Sequence, residues 1–270
     1  MAADADLLSE FSVFAGRLAD AARIETLPRF RAGGVVESKA GISFDPVTDA
    51  DRETERTLRR MIAAVYPHHG VIGEEFGAER ADADFRWVID PVDGTRAFVC
   101  GAATWATLIG LEKAGRPALG IIDQPFTDER WLGLPGRATY RRGGEERVCR
   151  TSGVADLNRA RLSTTDPRRE AYFTGEEAAA FADLAARTQV ARFSLDAYAY
   201  GLLAIGEIDL VVESNLKRHD FSALVPVVEG AGGVISDWTG APLGDAVRGR
   251  VIAAASPELH RAALDLLKGV

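Results

Sequence analysis

RWVIDPVDGTRAFVCG, residues 86–101, runs an apolar stretch, Trp87-Val88-Ile89, straight into two aspartates three positions apart, Asp90 and Asp93. Pro91 lies between them and Gly94-Thr95 follows at once. The apolar run closed by proline and glycine predicts a strand over 86–89 that ends at the first aspartate. Proline fixes its own φ and so restricts the loop that carries both carboxylates. An aspartate before a glycine at a strand end serves as a turn or cap residue about as often as anything else, so Asp93-Gly94 alone leaves its role open.

Outward from this stretch, further acids stand in similar settings. Gly73-Glu74-Glu75 follows a predicted strand at Val71-Ile72, Thr48-Asp49-Ala50-Asp51 opens a predicted helix, and Asp220 precedes another over 221–229. Leu7, Phe11, Phe14 and Leu18 share one face of a helix expected from Asp4 to about Arg31. Leu58, Met61, Ile62 and Val65 form the apolar face of a second helix, from Thr48-Asp49 to Pro67. Short strands are then expected at 107–111, 118–122 and 130–132, with turns at KAGRP and GRA. After Cys149, helices over 176–187, 198–205, 221–229 and 257–267 alternate with strands over 190–193, 208–212, 234–236 and 251–254. The pattern is mixed α/β, with an N-terminal half over 1–148 and a C-terminal α/β half over 149–270.

Composition narrows the partners. The chain of 270 residues carries 32 Lys+Arg against 40 Asp+Glu, a formal charge of −8, which argues against broad affinity for nucleic acid or anionic membrane. Cys100 and Cys149 are its only cysteines, too few for a disulfide framework or a thiolate zinc site. The opening MAADADLLSE is acidic, and no apolar run approaches the ~18 residues of a membrane span. A cytoplasmic protein is expected.

Clustered carboxylates repel one another and lose hydration on burial, so a cluster is stable only where cations neutralise it. Oxygen ligands without a Cys/His set suit a hard cation such as Mg2+. If a helix starts at Gly94-Thr95, its free backbone N–H groups can hold a phosphate beside the metal. The two together imply phosphoryl chemistry with a metal-activated water. Neither GxxxxGK[ST] nor GxGxxG occurs, which disfavours a kinase or a dehydrogenase.

GEE at 73–75, WVIDPVDGTRAF at 87–98 and HDFSALVPVVEGAGG at 219–233 resemble the three signatures of the inositol monophosphatase family of Mg2+-dependent, lithium-sensitive phosphatases. DPVTDAD at 45–51 resembles a fourth, upstream element. The resemblance implies a layered αβαβα sandwich of the inositol monophosphatase and fructose-1,6-bisphosphatase type, commonly a homodimer, with the site at strand ends between the halves. It implies that Glu74, Asp90 and the Val92 carbonyl hold one Mg2+, that Asp90, Asp93 and Asp220 hold a second, and that a weaker third shares Glu74. Asp51 with Thr95 would orient and deprotonate the attacking water, and the amides of Gly94 and Thr95 would bind phosphate. Lys39 is expected nearby, and Glu75 and Asp49 are expected to be supporting residues.

Within the family, IIDQPFTDERWLG at 121–133, SLDAYAYGLLAIGEIDLVVESNLKRHD at 194–220 and the VPVVEGAGGVISDWTGAPL ending are most similar to the histidinol-phosphate phosphatase branch. Asp196 takes a place that is small and apolar in typical inositol phosphatases, and Glu213 takes a substrate-contact position. Carboxylates beside the phosphate site favour a cationic alcohol, whereas inositol is neutral. Asp196 can equally cap the helix that follows it. Ser194-Leu195, Ala97-Phe98-Val99 and His219 depart from the branch and leave the pocket's shape open. An inositol-1-monophosphatase or broad sugar-phosphate phosphatase is the alternative activity, and a non-catalytic interaction protein the alternative class. His68-His69 are expected to face solvent, Cys100 to pack, Trp87, Trp105 and Trp131 to lie in the core, and Pro226 to kink its helix.

Overall fold

A computed structural model describes residues 2–33, 36–38, 46–168, 171–244 and 249–270; Lys39 and Asp45 lie outside them. The chain opens with α1 (Ala2–Thr26), β1 (Val36–Ser38), β2 (Pro46–Thr48), α2 (Asp49–Val65), β3 (Gly70–Gly73), β4 (Gly77–Glu79), β5 (Phe85–Asp93) and α3 (Thr95–Cys100). An antiparallel run follows through β6 (Ala106–Lys113), β7 (Arg116–Gln124), β8 (Glu129–Leu134), β9 (Arg137–Arg142) and β10 (Glu145–Val148). The rest comprises β11 (Arg161–Thr164), α4 (Gly175–Ala185), β12 (Val190–Phe193), α5 (Tyr198–Ala204), β13 (Leu210–Glu213), α6 (Arg218–Phe221), α7 (Leu224–Gly230), β14 (Val234–Ser236), β15 (Val251–Ala254) and α8 (Pro257–Leu267).

Two mixed sheets result, one of eight strands in the order β10-β9-β8-β7-β6-β5-β3-β4 and one of five in the order β12-β11-β13-β15-β14. Alternation along each strand sorts its side chains into layers. Ile109 and Leu111 of β6 join Phe11, Phe14 and Leu18 of α1 and Leu58 and Ile62 of α2 on one face of the large sheet. Leu108 of the same strand meets α5, α7 and Val211 on the other face. In β13, Leu210 and Val212 turn the opposite way, onto Phe181 of α4 and Leu259 of α8. The layers therefore run α1/α2, large sheet, α5/α6/α7, small sheet, α4/α8, which is the expected αβαβα sandwich. The large sheet ends before residue 149 and the small one begins after it, yet one cluster of buried side chains spans both. Among the described residues, no helix is long and apolar enough to cross a membrane.

The middle layer lies unusually close to the large sheet because of three glycines in register across β6, β7 and β8, Gly110, Gly120 and Gly133. A Cβ on Gly120 would stand 1.9 Å from the Ala223 carbonyl oxygen, and one on Gly133 2.2 Å from the Val227 nitrogen. The row thus lets the backbone between α6 and α7 rest on the sheet itself, and α6 carries Asp220 to the end of β5.

Several local expectations are corrected. The helix expected over 221–229 is two helices, α6 and α7, parted by a turn at Ser222-Ala223. Ser222 and Ala223 keep helical dihedrals, φ −58°, ψ −36° and φ −74°, ψ −28°, so the break is one of hydrogen bonding: Pro226 has no N–H to give the Ser222 carbonyl. The opening helix ends at Thr26, and Val65 is 51% exposed rather than part of the α2 stripe. His69 does not face solvent: it accepts from Trp87 Nε1 at 3.2 Å and stacks on Tyr66 at 4.7 Å. Burial, with some help from His68, holds its pKa below the ordinary histidine value. Cys100 is exposed, because the short α3 buries Ala97 and Phe98 and turns its last residue outward. All three tryptophans named above are in the core.

The glycine row gives a stability test. Gly120→Ala forces a Cβ into backbone that cannot swing aside and is expected to lower stability by about 2–3 kcal/mol. Gly16→Ala, inside α1 with only Arg130 Nη1 at 4.0 Å, is expected to gain about 0.5–1 kcal/mol. Urea unfolding of both variants beside the parent checks the pair.

Candidate active site

Side chains three apart on a regular strand point to opposite faces, yet Asp90 and Asp93 act together here. The strand expected to stop at Asp90 continues to Asp93, and opposite β6 its register slips: Asp90 pairs with Leu108 and Asp93 with Ala106. Three steps on β5 thus face two on β6, a one-residue bulge at Pro91-Val92 that turns both carboxylates to one side. Proline tolerates a bulge because no ladder N–H is required of it there, and its carbonyl accepts from Thr107 Oγ1 at 2.7 Å.

Each acid is pinned locally. Asp90 Oδ1 accepts from the Val92 N–H at 3.1 Å, and Asp93 Oδ2 from the Ala197 N–H at 2.7 Å. Thr95 Oγ1 donates to the Val92 carbonyl at 3.0 Å, and Gly94 takes φ 79°, the left-handed turn that only glycine adopts freely. Asp51 sits in the first turn of α2, where its Oδ2 accepts from both the N–H and the hydroxyl of Thr48, at 2.8 and 2.7 Å. Buried Glu55 accepts from the Glu75 and Phe76 N–H groups at 2.7 and 3.1 Å and so holds the turn that carries Glu74. Asp220 Oδ2 accepts from the Lys217 N–H at 2.6 Å. Its helix is tied to β6 by Arg218 and Ser222, which both donate to buried Glu112 at 2.6–2.9 Å.

The carboxylates from these separate segments converge. Ligand atoms of Asp90, Asp93 and Asp220 lie within 4.8 Å of one another, as do those of Glu74, Asp90 and His219, and those of Asp51, Glu74 and Glu75. Glu75 therefore reaches the cluster itself, and His219, noted in the sequence only as a departure, is a neighbour of Glu74 and Asp90; Asp49 is exposed. Burial, reinforced by neighbouring carboxylates, raises the pKa of Asp90 and Asp93 well above the ordinary range. Burial also pushes Asp51 up to about 7 against its two Thr48 hydrogen bonds, with Glu74 and Glu75 adding to the rise. Asp220 is raised by burial, with His219 and Lys217 pulling the other way. Oxygen donors this close, from four chain segments, fit hard divalent cations.

Beside the cluster the cavity continues, with a volume of about 240 Å3 and a wall that includes Arg96, Thr165, Tyr172, Asp196, Glu213 and Lys217. Asp196 has φ 48° and makes no side-chain cap to α5, whose N-cap is Ala197; the Ala197 N–H goes to Asp93. Its carboxylate instead stands against the glycine turn, 3.0 Å from where a Cβ on Gly94 would be. Burial pushes Asp196 up to about 6, with Arg96 opposing. Glu213 accepts from Thr164 Oγ1, the Thr165 N–H and Thr165 Oγ1 at 2.8–3.1 Å, and burial still pushes it up to about 8. The sequence reading passed over Arg96, whose guanidinium lies 5.0 Å above the Tyr172 ring, although its place directly after Gly94-Thr95 was a usable signal. Tyr172 and Thr165 come from an irregular stretch with no periodicity to mark them.

Comparison with known proteins agrees with this fold. Residues 7–269 match the family model described as the inositol monophosphatase family. The bifunctional phosphatase IMPL2, chloroplastic, of Arabidopsis thaliana is 39% identical over 97% of this chain and 76% of its own length. The histidinol-phosphatase of Mycobacterium tuberculosis is 34% identical over 83% of this chain and 86% of its own. Among solved structures, an inositol monophosphatase from Zymomonas mobilis superposes with a TM-score of 0.85 at 41% identity, over 96% of this chain and 98% of that one.

The raised carboxyls set a pH dependence. A group whose folded pKa exceeds its unfolded value contributes stability that is complete below the ordinary carboxylate range and is lost as pH rises through the raised value. For Asp51 that window runs from about pH 4 to about pH 7. The metal-free protein is therefore expected to melt lower at pH 8 than at pH 5, and added Mg2+ to raise its Tm more at pH 8. Calorimetric scans at both pH values with and without Mg2+ check this, and an Mg2+ increment independent of pH would contradict it.

Proposed function

The chain belongs to the inositol monophosphatase family, and on that premise we propose that it is a Mg2+-dependent phosphomonoesterase hydrolysing L-histidinol phosphate to L-histidinol and phosphate. In this reading Glu74, Asp90 and the Val92 carbonyl hold one ion, Asp90, Asp93 and Asp220 hold a second, and Glu74 shares a weaker third. Bound Mg2+ supplies polarisation of the phosphate oxygens, a water of lowered pKa and stabilisation of the leaving oxygen.

The chain's own residues position and move protons around that chemistry. Asp51 is the base: Thr48 occupies its Oδ2, which leaves Oδ1 for the water. Thr95, anchored through its hydroxyl on the Val92 carbonyl, helps to orient the water. The Gly94 and Thr95 amides hold the phosphate, because the left-handed turn at Gly94 presents successive N–H groups to one side.

Asp196 is the observation that carries the substrate assignment. A carboxylate packed against the phosphate turn repels a phosphate dianion unless another charge intervenes. The cavity wall holds six carboxylates, Glu74, Asp90, Asp93, Asp196, Glu213 and Asp220, against two full cations, Arg96 and Lys217. A wall so rich in carboxyl groups suits a cationic alcohol better than neutral inositol. The Mycobacterium tuberculosis relative carries the histidinol-phosphatase name and the Zymomonas mobilis neighbour the inositol monophosphatase name; the charge beside Gly94 favours the first. Inositol 1-phosphate or a broad range of sugar phosphates remains the second reading. A non-catalytic scaffold would have no use for so many mutually repelling acids.

Two substitutions test this reading. Asp51→Asn is expected to lower kcat by roughly 100- to 10,000-fold on any phosphomonoester. Asp196→Ala is expected to lower kcat/KM for L-histidinol phosphate by roughly tenfold or more, the scale of one charge-assisted contact, and to leave inositol 1-phosphate less affected. Histidinol phosphate turnover that survives Asp196→Ala unchanged would sink the cation argument.

A further inference from the structure

Asp93, Thr165, Asp196, Glu213, Leu216 and Asp220 line both the main cavity and a smaller chamber behind it, which Ala197, Tyr200 and Leu224 complete. The chamber measures about 20 Å3, room for one group the size of a water molecule. Tyr200 is 2% exposed, and its hydroxyl has no hydrogen-bond partner among the described residues. Native structures seldom leave a buried hydroxyl in that condition, so the space beside it, bordered by four carboxylates, suits a small hydrogen-bonding group.

We propose that this chamber receives a protonated primary amine of the substrate, with the Tyr200 hydroxyl and the Asp196 and Glu213 carboxylates as its acceptors. The proposal rests on the phosphomonoesterase reading and narrows its substrates to phosphate esters of amino alcohols. Size selects the group: an ammonium matches a single water, whereas an imidazole or a cyclitol ring does not enter. Charge selects it again, because a space bordered by carboxylates favours a cation over a neutral hydroxyl. An alkylammonium only donates hydrogen bonds. Tyr200 can accept one on its oxygen and turn its own hydrogen to a carboxylate, which satisfies both partners. Position fixes the tether. Asp196 borders the chamber and also touches the phosphate turn at Gly94, so an amine close to the phosphorylated carbon, as in a vicinal amino alcohol, suits the spacing. The imidazole of histidinol phosphate would then remain in the outer cavity near Tyr172 and Arg96.

The experiment compares L-histidinol phosphate, its des-amino analogue imidazolylpropyl phosphate, L-phenylalaninol phosphate and inositol 1-phosphate on the parent and on Tyr200→Phe. The parent is expected to prefer histidinol phosphate over the des-amino analogue by roughly 10- to 100-fold in kcat/KM, the worth of hydrogen bonds to a charged group. Tyr200→Phe is expected to shrink that preference by roughly tenfold, through KM more than kcat. Equal turnover of the two by the parent, or an equal loss on both in the variant, overturns the chamber assignment. Should Tyr200→Phe fail to fold, calorimetric binding of L-histidinol against imidazolylpropanol to the parent decides it, equal affinity being the overturning result. Phenylalaninol phosphate separates the two claims. If it matches histidinol phosphate and the amine preference holds, the chamber stands and the histidinol assignment fails. If histidinol phosphate outperforms inositol 1-phosphate without any amine preference, the reverse is true.

Discussion

Mutual repulsion among carboxylates at the end of β5 is the constraint around which this molecule is organised. Asp90, Asp93 and Asp220 bring oxygens within 4.8 Å of one another, the first buried and the other two partly so. Their raised pKa values measure the strain. No folded chain gathers such charges by accident, so the surrounding structure must hold each acid in place without neutralising it. The β5 bulge turns two of them the same way, and the Gly110-Gly120-Gly133 row lets the third approach on α6.

Buried acids elsewhere show the contrast. Asp123 receives Arg23 and Arg130 at 2.5–2.9 Å, Glu112 receives Arg86 and Arg218, and Glu55 receives Arg59. Asp209 is the clearest case: burial pushes its pKa up, yet hydrogen bonds from Arg161 and Ser152 outweigh that and leave it below the ordinary value. Those acids serve as struts, and charge pairing settles them. Asp90 and Asp93 accept backbone N–H groups instead, which fix direction while leaving the charge largely uncompensated. The same residue type is thus used in two ways, and the partner chosen, guanidinium or amide, decides which.

Much of the fold was legible because its strongest periodic signals belong to elements that pack by one clean face. The helix over Pro257–Leu267 and the strands Val190–Phe193, Val234–Ser236 and Val251–Ala254 coincide with the sequence expectation. Misses came where tertiary contact overrode local pattern. Arg161–Thr164 is a central strand whose polar Ser163 and Thr164 are fully buried, so no hydrophobic run announced it. Arg137–Arg142 and Glu145–Val148 form an arginine-rich edge, where charge masks strand character. The close seating of the 222–227 backbone on Gly110, Gly120 and Gly133 is a contact that no local window contains. The acids of the site were legible for the opposite reason: they stand at or near the ends of strands and helices, and their chemistry is written in residue type. What could not be read was direction, since the spacing of Asp90 and Asp93 predicts opposite faces until the bulge is known.

The cost of the cluster and its use are one quantity. Cations that bind only the folded chain stabilise it by as much as their binding is favourable, so each increment of repulsion built into the metal-free state returns as affinity when charge is neutralised. Relaxing Asp93 or Asp220 toward an amide would ease folding and weaken cation binding by the same repulsion. That coupling explains why the scaffold spends its rigid features, a bulged central strand, a glycine row and a buried Glu112-Arg218 tie, at the one place where the chain opposes itself. Asp196 extends the principle outward. Set against the phosphate turn and unpaired by any cap, it leaves the outer cavity short of positive charge, so the substrate must bring what the protein withholds.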